Sequence, residues 1–281
     1  MNKTTSVKEE THSPDFIITN GWARLKAIYE PEDIAKARAI FDEMFQQGAV
    51  KRSASDSDFI INDIYRHRPE VARIIFNKKY FEGVRSLLGE DIVWLPECAI
   101  HRDRYAKWHK DTTEQEIGGI TSHIKEPTPM LQVSTYLQDY SPQEGGGISV
   151  VPGSHRRPDR FLHMYQFDLM SRVKRKIDRT LGQTVFQKIE KNKEFIDIPS
   201  KATDLAVFDI RTEHRASTPA NKPALIKYSI FNTFGNNTRA LRDYYEFMKQ
   251  RPEPYYLYYK NFKAPKIIFE IAKEYNVTVW D

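Results

Sequence analysis

Two stretches in the first ninety residues place apolar side chains at the spacing of an α-helix. The first opens at Pro31, carries acidic residues in its first turn and stops before Gly48. The second runs through residues 70–88 and ends at a glycine. Both patterns predict amphipathic helices that pack on a core through one face. Ahead of them, Asn20-Gly21 predicts a turn that leads into a short strand.

From residue 91 to about 235 the pattern changes to short apolar or alternating runs bounded by turn residues, which predicts strands. The predicted strands are residues 91–100, 130–137, 148–151, 195–198, 205–208 and 224–231. One charged stretch with a helical pattern, residues 160–192, interrupts them and predicts a lid or binding insertion. Helices followed by many short strands predict an α+β chain whose core is a double-sheet jelly roll of the cupin kind.

The two ends of the chain differ from this pattern. Residues 1–14 are polar and without periodicity, which predicts a disordered tail ahead of one domain, residues 15–281. Residues 236–281 are helical or irregular in pattern. Their tyrosine-rich run, Tyr255–Tyr259, fits a packed helix or the border of a pocket.

Composition narrows the class of protein. The net charge of +5 is mild for 281 residues, so a nucleic-acid partner is not expected. Cys98, the single cysteine, excludes an internal disulfide and fits a buried small residue in a reducing compartment. The sequence shows no signal peptide and no membrane-spanning run. We therefore expect a soluble cytoplasmic protein without a membrane partner; its oligomeric state is not readable from the sequence.

Metal-binding side chains cluster in Trp108-His109-Lys110-Asp111. His109 and Asp111 are two positions apart and would share one face of an extended strand. His214, which follows Phe208-Asp209, is the best candidate for a third ligand. Two histidines and one carboxylate suit Fe(II) and leave coordination positions open.

Other histidines compete with these candidates. His101 and Asp103 form a second triplet of the same spacing in the upstream strand. His155 lies in a Pro-Gly-Ser-His turn, and His123 has no partner pattern, so a structural role fits both better than a ligand role.

The order of these motifs resembles the phytanoyl-CoA dioxygenase family. Trp-His-x-Asp at 108–111, a strand, a glycine-rich turn at 139–147, Pro-Gly-Ser-His at 152–155 and a lone histidine after Phe-Asp-x-Arg carry the resemblance, which covers roughly residues 15–235. It implies a double-stranded β-helix that uses Fe(II), 2-oxoglutarate and O2. It also implies that the catalytic metal ligands are His109, Asp111 and His214 rather than the upstream triplet.

The cosubstrate site departs from the family pattern. Family members hold the distal carboxylate of 2-oxoglutarate with an arginine about ten residues beyond the second histidine, and this chain has none there. The available cations are Lys227, Lys222 and Arg215. Lys227 is preferred because a strand fixes its direction, and a lysine can hold a carboxylate as a point charge.

Three polar residues complete the predicted cosubstrate pocket. Ser217 is placed to hydrogen-bond the same carboxylate. Gln132 and Thr135, on the strand after the metal motif, resemble positions that line the 2-oxoglutarate pocket of the family.

The resemblance implies oxidation of an unactivated C–H bond with release of succinate and CO2. Related halogenases carry a small residue at the position of Asp111, so hydroxylation is the default here, with desaturation or oxidative cyclisation open. Basic residues in and before the insertion favour a small anionic substrate, carboxylated or phosphorylated: Arg156, Arg157, Arg160, Arg172, Lys174, Arg175 and Lys176. The alternatives are a jelly-roll binding protein without turnover and a hydroxylase of a protein side chain.

Overall fold

The computed structural model describes residues 13–46, 60–165, 169–221, 225–250 and 263–280. The helices are α1 Pro14–Asn20, α2 Pro31–Gln46, α3 Ile64–His67, α4 Pro69–Ile75, α5 Lys78–Leu88, α6 Thr113–Ile117, α7 Leu162–Tyr165, α8 Leu169–Thr180, α9 Val185–Asn192, α10 Arg239–Gln250 and α11 Lys266–Tyr275. The strands are β1 Trp22–Leu25, β2 Ile60–Asn62, β3 Val93–Arg102, β4 Leu131–Tyr136, β5 Ile148–Val150, β6 Ile196–Asp197, β7 Leu205–Asp209, β8 His214–Ala216, β9 Tyr228–Gly235 and β10 Thr278–Val279.

The N-terminal helix α1 begins inside the stretch predicted to be a disordered tail. Ser13 caps it, since the Ser13 hydroxyl accepts a hydrogen bond from the Phe16 N–H at 3.1 Å. Pro14 occupies the first turn, where its missing N–H costs nothing. Gly21 ends the helix at a φ of 77°. The tail boundary at residue 14 was therefore wrong; the rest of the predicted tail, residues 1–12, lies outside the described residues.

The single helix predicted for residues 70–88 is two helices, α4 and α5. Asn77 separates them in an extended conformation, and its side chain accepts a hydrogen bond from the Tyr80 N–H at 2.9 Å. That bond caps α5 at its start. Both helices bury their apolar faces in one core, so the hydrophobic period runs through the break and conceals it.

Two sheets form the jelly roll that the sequence predicts. The larger has the order β1-β7-β4-β9-β3-β10, with β2 pairing β3 as well, and the smaller has the order β6-β5-β8. Every pairing is antiparallel except β10 with β3. The last predicted strand starts late, because β9 begins at Tyr228; residues 222–224 lie outside the described part. Strands β2, β8 and β10 have two or three residues and were not predicted.

The larger sheet buries both of its faces. Helices α2 to α5 and α11 cover the outer face with the main apolar core, which includes Leu131 and Val133 of β4. The inner face meets the smaller sheet through a second cluster that includes Tyr136 and Phe208. Neighbouring residues of β4 therefore point to opposite sides, and only one side looks into the barrel.

The predicted insertion consists of α7, α8 and α9, which confirms its helical pattern in the described residues. Helix α9 packs beside Trp108 through Val185 and Ile189. The tyrosine-rich run Tyr255–Tyr259 lies outside the described part. Each helix described by the structure is too short or too polar to traverse a bilayer.

Candidate active site

The two histidines of the predicted metal site are joined through the backbone. The His109 N–H donates to the His214 carbonyl at 3.0 Å, and the His214 N–H donates to the His109 carbonyl at 2.9 Å. This isolated antiparallel bridge brings together two residues that are 105 positions apart. Asp111 is held on the same segment, since its N–H donates to the Ile210 carbonyl at 3.1 Å. Hydrogen bonding thus positions all three side chains on neighbouring chain segments.

The three side chains converge. Asp111 Oδ1 lies 3.5 Å from His109 Nε2 and 3.7 Å from His214 Nε2. One ligand atom from each residue lies within 4.8 Å of the others. His109 Nδ1 lies 2.6 Å from the Lys107 carbonyl and His214 Nδ1 lies 2.9 Å from the Thr212 carbonyl, so each carbonyl fixes the Nδ1–H tautomer and leaves Nε2 with a lone pair. This donor set fits Fe(II).

Protonation differs between the two histidines. Burial alone would lower the pKa of His109, but the hydrogen bond and the charge of Asp111 outweigh it and raise that pKa. Burial, aided by the charge of His109, lowers the pKa of His214 to about 4. His214 is therefore neutral at pH 7, whereas Asp111 favours the protonated form of His109, with which a metal would compete.

The insertion is fixed beside both metal-ligand segments. The Trp108 indole N–H donates to Glu190 Oε1 of α9 at 2.7 Å. Arg160 binds the buried Glu213, next to His214, with its Nε lying 2.8 and 2.9 Å from the two carboxylate oxygens. These contacts make the base of the insertion part of the wall that supports the triad.

Arg215, one predicted cation for the cosubstrate, is directed away from the triad. Its guanidinium lies 5.0 Å from the Trp108 ring centroid and 4.9 Å from that of Phe195, and it pairs with Glu190 at 2.7 Å. Adjacent residues of an extended strand point to opposite sides, and His214 takes the inner side. The assignment of Arg215 to the cosubstrate pocket was therefore wrong.

A cavity of about 1000 Å³ opens in front of the triad. Gln132, Ser217 and Lys227, three of the predicted cosubstrate residues, line it. Thr135 does not. Its hydroxyl lies 2.9 Å from the Tyr29 hydroxyl in the outer core, because it is an odd number of positions from Gln132 on β4. The prediction for Thr135 was wrong for that reason.

Lys227 is held firmly at the wall of the cavity. It is 7% exposed, and its Nζ donates to Glu144 Oε2 at 3.0 Å. Its backbone N–H donates to Asp103 Oδ1 at 2.8 Å, which fixes the start of the side chain. A Cβ at Gly146 would lie 3.2 Å from Lys227 Cδ, so the glycine-rich turn packs directly on the lysine stem. Lys222, the other predicted cation, lies outside the described residues.

The side chains of the upstream triplet, His101 and Asp103, do not converge as those of the triad do. His101 lines the cavity and packs against the Phe231 ring at 4.8 Å between centroids. Asp103 adopts a positive φ of 45° and turns its carboxylate to the Lys227 backbone instead. The two other histidines considered as candidates have structural partners: His155 Nε2 lies 2.9 Å from the Ile18 carbonyl, and His123 Nε2 lies 3.1 Å from Glu116.

The basic residues of the insertion and its approach do not line the cavity, contrary to the expectation that they mark the substrate site. The cations that do line it are Arg104, Lys107, Lys110 and Lys227. Arg104 and Lys107 precede the metal motif, and Lys110 lies within it. The sequence reasoning missed Arg104 and Lys107 because no periodic pattern marks the segment between β3 and His109.

Comparison with known proteins agrees with this geometry. The sequence model of the family described as phytanoyl-CoA dioxygenase (PhyH) matches residues 18–222. No curated protein matches the chain.

Solved structures share the fold. EvdMO1 is 18% identical, with 79% of this chain and 49% of that chain covered and a TM-score of 0.55, so this chain spans about half the length of EvdMO1. AviO1 from Streptomyces viridochromogenes Tue57 is 15% identical over 83% of this chain and 98% of its own, with a TM-score of 0.58. EctD from S. alaskensis with 2-oxoglutarate and 5-hydroxyectoine is 15% identical over 89% and 88%, with a TM-score of 0.56.

Proposed function

The chain belongs to the phytanoyl-CoA dioxygenase family, and from this premise we propose that His109, Asp111 and His214 hold Fe(II) for the oxidation of an unactivated C–H bond in a small anionic metabolite. As a member of that family the protein is an Fe(II)- and 2-oxoglutarate-dependent oxygenase. The observation that carries the assignment of ligands is the convergence of two Nε2 atoms and one carboxylate oxygen on the cavity wall.

Each ligand residue has a defined task. The Lys107 and Thr212 carbonyls hold the imidazole N–H groups, so both Nε2 atoms point to one place without reorganisation. Asp111 supplies the anionic oxygen that balances part of the metal charge. Bound there, Fe(II) supplies the coupling of O2 reduction to the decarboxylation of 2-oxoglutarate and the oxidation of the substrate. Because the carboxylate of Asp111 is present, hydroxylation is the default outcome, and desaturation or oxidative cyclisation remains open to the same site.

Lys227 is the proposed partner of the distal carboxylate of 2-oxoglutarate. It is buried and lines the same cavity as Ser217, the proposed hydrogen-bond donor to that carboxylate. Its pairing with Glu144, whose side chain is 36% exposed, would be exchanged for pairing with the cosubstrate, since both partners offer a carboxylate. Gln132 lines the same cavity, with its Oε1 accepting from the Thr233 hydroxyl at 2.5 Å.

Oxygen-dependent turnover tests the proposal. Purified protein with Fe(II), 2-oxoglutarate and O2 should release succinate and CO2 even without the native substrate, and omission of Fe(II) should stop the release. His101→Ala should keep this uncoupled activity and His214→Ala should lose it. Equal activity in the two variants would remove His214 from the ligand set.

A further inference from the structure

The four cationic side chains that line the cavity, among the described residues, fall into two pairs. Lys227 binds Glu144, and Lys110 donates to the Ser154 and Arg157 carbonyls at 3.1 and 2.9 Å. Arg104 and Lys107 have no hydrogen-bond or ion-pair partner in the part of the chain that the structure describes. Lys227 and Lys110 thus already pair with protein groups, whereas the other two cations can bind a ligand without first breaking such a pair.

Arg104 lies in the segment that joins β3 to the proposed metal motif. It follows the turn at Asp103, whose backbone N–H donates to the Lys227 carbonyl at 2.9 Å. Its side chain lines the cavity together with His101 and His109.

A nearby arginine shows that this placement is specific. Arg102 lies two residues earlier, but its guanidinium lies 5.3 Å from the Phe45 ring centroid, and the residue does not line the cavity. The positive φ of 45° at Asp103 separates the two arginines. Arg102 is therefore a matched control of the same type in the same segment.

Another part of the cavity lining presents apolar surface. Ile117 of α6 and Tyr165 of α7 are 40% and 42% exposed, and Phe247 of α10 lies beside them in the lining. Large apolar side chains exposed in a cavity indicate a ligand with an apolar body. A guanidinium on the same cavity selects for a carboxylate or phosphate, which it can bind through two parallel hydrogen bonds.

We propose that Arg104 is the residue that recognises the substrate, by binding a carboxylate or phosphate group whose apolar body lies against Ile117 and Phe247. The proposal rests on the proposed function only in that it assigns Lys227, and not Arg104, to 2-oxoglutarate. Lys107 adds a second, exposed charge at the same opening. The substrate is then an amphipathic monoanion or phosphate monoester, held by the segment that leads into the metal motif.

Phenyl phosphate is a suitable probe, with benzyl alcohol as the uncharged comparison. Saturation-transfer NMR on the metal-free protein measures its affinity without requiring an occupied triad. Arg104→Gln should weaken phenyl phosphate about tenfold or more, the loss of one charge-assisted pair, while leaving benzyl alcohol unchanged. Arg102→Gln should bind both probes as the unmodified protein does.

A second measurement separates this proposal from the proposed function. In protein loaded with Mn(II) and 2-oxoglutarate without O2, the bound Mn(II) should enhance 31P relaxation of phenyl phosphate. With the probe below its Kd, Arg104→Gln should reduce this enhancement about tenfold or more while keeping its affinity for 2-oxoglutarate. Equal probe affinity in Arg104→Gln and the unmodified protein overturns the role of Arg104. Displacement of the probe by 2-oxoglutarate, or loss of 2-oxoglutarate affinity in Arg104→Gln, also overturns it. Failure to bind Mn(II) would contradict the proposed function alone, since the metal-free titration still tests Arg104.

Discussion

Two His-x-Asp triplets lie eight residues apart in this chain, and their backbones give them different chemistry. His101 belongs to the long strand β3 and is paired on both sides, with Ile60 and with Ser229. His109 lies outside the regular strands and pairs only with His214. Both histidines line the same cavity, but only the second faces another histidine and a carboxylate.

The acid of each triplet explains the difference. Asp103 has a positive φ, and its carboxylate accepts a hydrogen bond from the Lys227 N–H. This bond holds the backbone of Lys227, the proposed partner of the cosubstrate carboxylate, in place. Asp111 remains directed at the two Nε2 atoms. An identical spacing thus yields a candidate ligand pair in one segment and, in the other, an acid that accepts a backbone hydrogen bond. The comparison shows that a His-x-Asp spacing predicts a metal site only where the fold places a third ligand residue next to it.

The largest expected effect is the loss of the metal site. His109→Ala, Asp111→Ala and His214→Ala should each remove nearly all turnover, because a three-ligand site has no spare donor. Metal affinity should fall by more than about 100-fold, since even the loss of a supporting partner commonly costs about 10–100-fold. Calorimetric titration of Mn(II) measures this. His101→Ala and Asp103→Ala should bind Mn(II) as the unmodified protein does; the reverse pattern would show that the upstream triplet is the metal site.

The next effect concerns Lys227. Lys227→Ala should raise the KM for 2-oxoglutarate about 100-fold, because a buried carboxylate that loses its partner costs on the order of 3 kcal/mol. Metal affinity should stay nearly intact. Lys227→Arg should rescue poorly, since Gly146 packs on the lysine stem and leaves little room for a planar fork. Arg215→Ala is the control, and a larger rise in KM there than in Lys227→Ala would move the anchor to Arg215.

Removal of the Asp103 carboxylate should change the KM for 2-oxoglutarate less than removal of Lys227 does. Asp103→Ala leaves the Lys227 N–H without its acceptor and should raise the KM for 2-oxoglutarate by about 3–10-fold, the value of one hydrogen bond. Asp103→Asn keeps an oxygen acceptor and should restore most of the affinity. Steady-state kinetics with varied 2-oxoglutarate distinguishes the two. If Asp103→Asn also lost metal binding, Asp103 would have a role that its geometry does not show.

The pH dependence of His101 gives a further contrast with a ligand histidine. Burial, together with the charge of Arg104, lowers its pKa to about 3, against a smaller opposing effect of Asp111. The unfolded chain takes up the proton near pH 6.5, so His101 reduces the free energy of unfolding progressively as the pH falls from about 6.5 to about 3. Between pH 7 and pH 5 this loss should be on the order of 1–2 kcal/mol, and His101→Phe should lose less. Urea unfolding at both pH values measures it; equal losses would show that His101 is protonated in the folded state.

The smallest expected effect is a change in the amide hydrogen exchange of the insertion when a ligand binds. Helix α8 exposes Leu169, Met170 and Ile177, whereas α9 holds Trp108 and Arg215 through Glu190. Amide hydrogens of α8 should therefore exchange faster than those of α9 and β4, and should slow when a ligand fills the cavity, as expected of a lid. Hydrogen exchange with and without ligand checks this. Strong and equal protection of α8 in both states would make the insertion a fixed structural element.

Much of the fold could be predicted from the sequence because short-range patterns encode it, and the order of the motifs along the chain indicated the triad. The predicted helix beginning at Pro31 and the strands that became β4 and β7 follow from apolar periodicity. The break at Asn77 could not be seen, since the apolar period continues across it. Two errors were avoidable. Thr135 is three residues from Gln132, and Arg215 is next to His214, so strand alternation already places both on the wrong side.

The cosubstrate and substrate contacts were harder to predict because they depend on tertiary pairing. Glu144 meets Lys227 only when the glycine-rich turn folds over β9, and no local pattern reports that contact. Arg104 reaches the cavity because of one residue with a positive φ, which the sequence does not mark. Contacts between distant segments of the chain, rather than composition, decide which cationic side chains are accessible to a ligand in the cavity.

The most direct test of the account is a count of the imidazole nitrogens bound to the metal. Vanadyl ion bound in place of Fe(II) gives pulsed EPR signals from each coordinated histidine. The unmodified protein and His101→Ala should both show two coordinated imidazoles, and His109→Ala should show one at most. Two imidazoles in His109→Ala, with a loss of one in His101→Ala, would contradict the assignment of His109, Asp111 and His214 as the metal site.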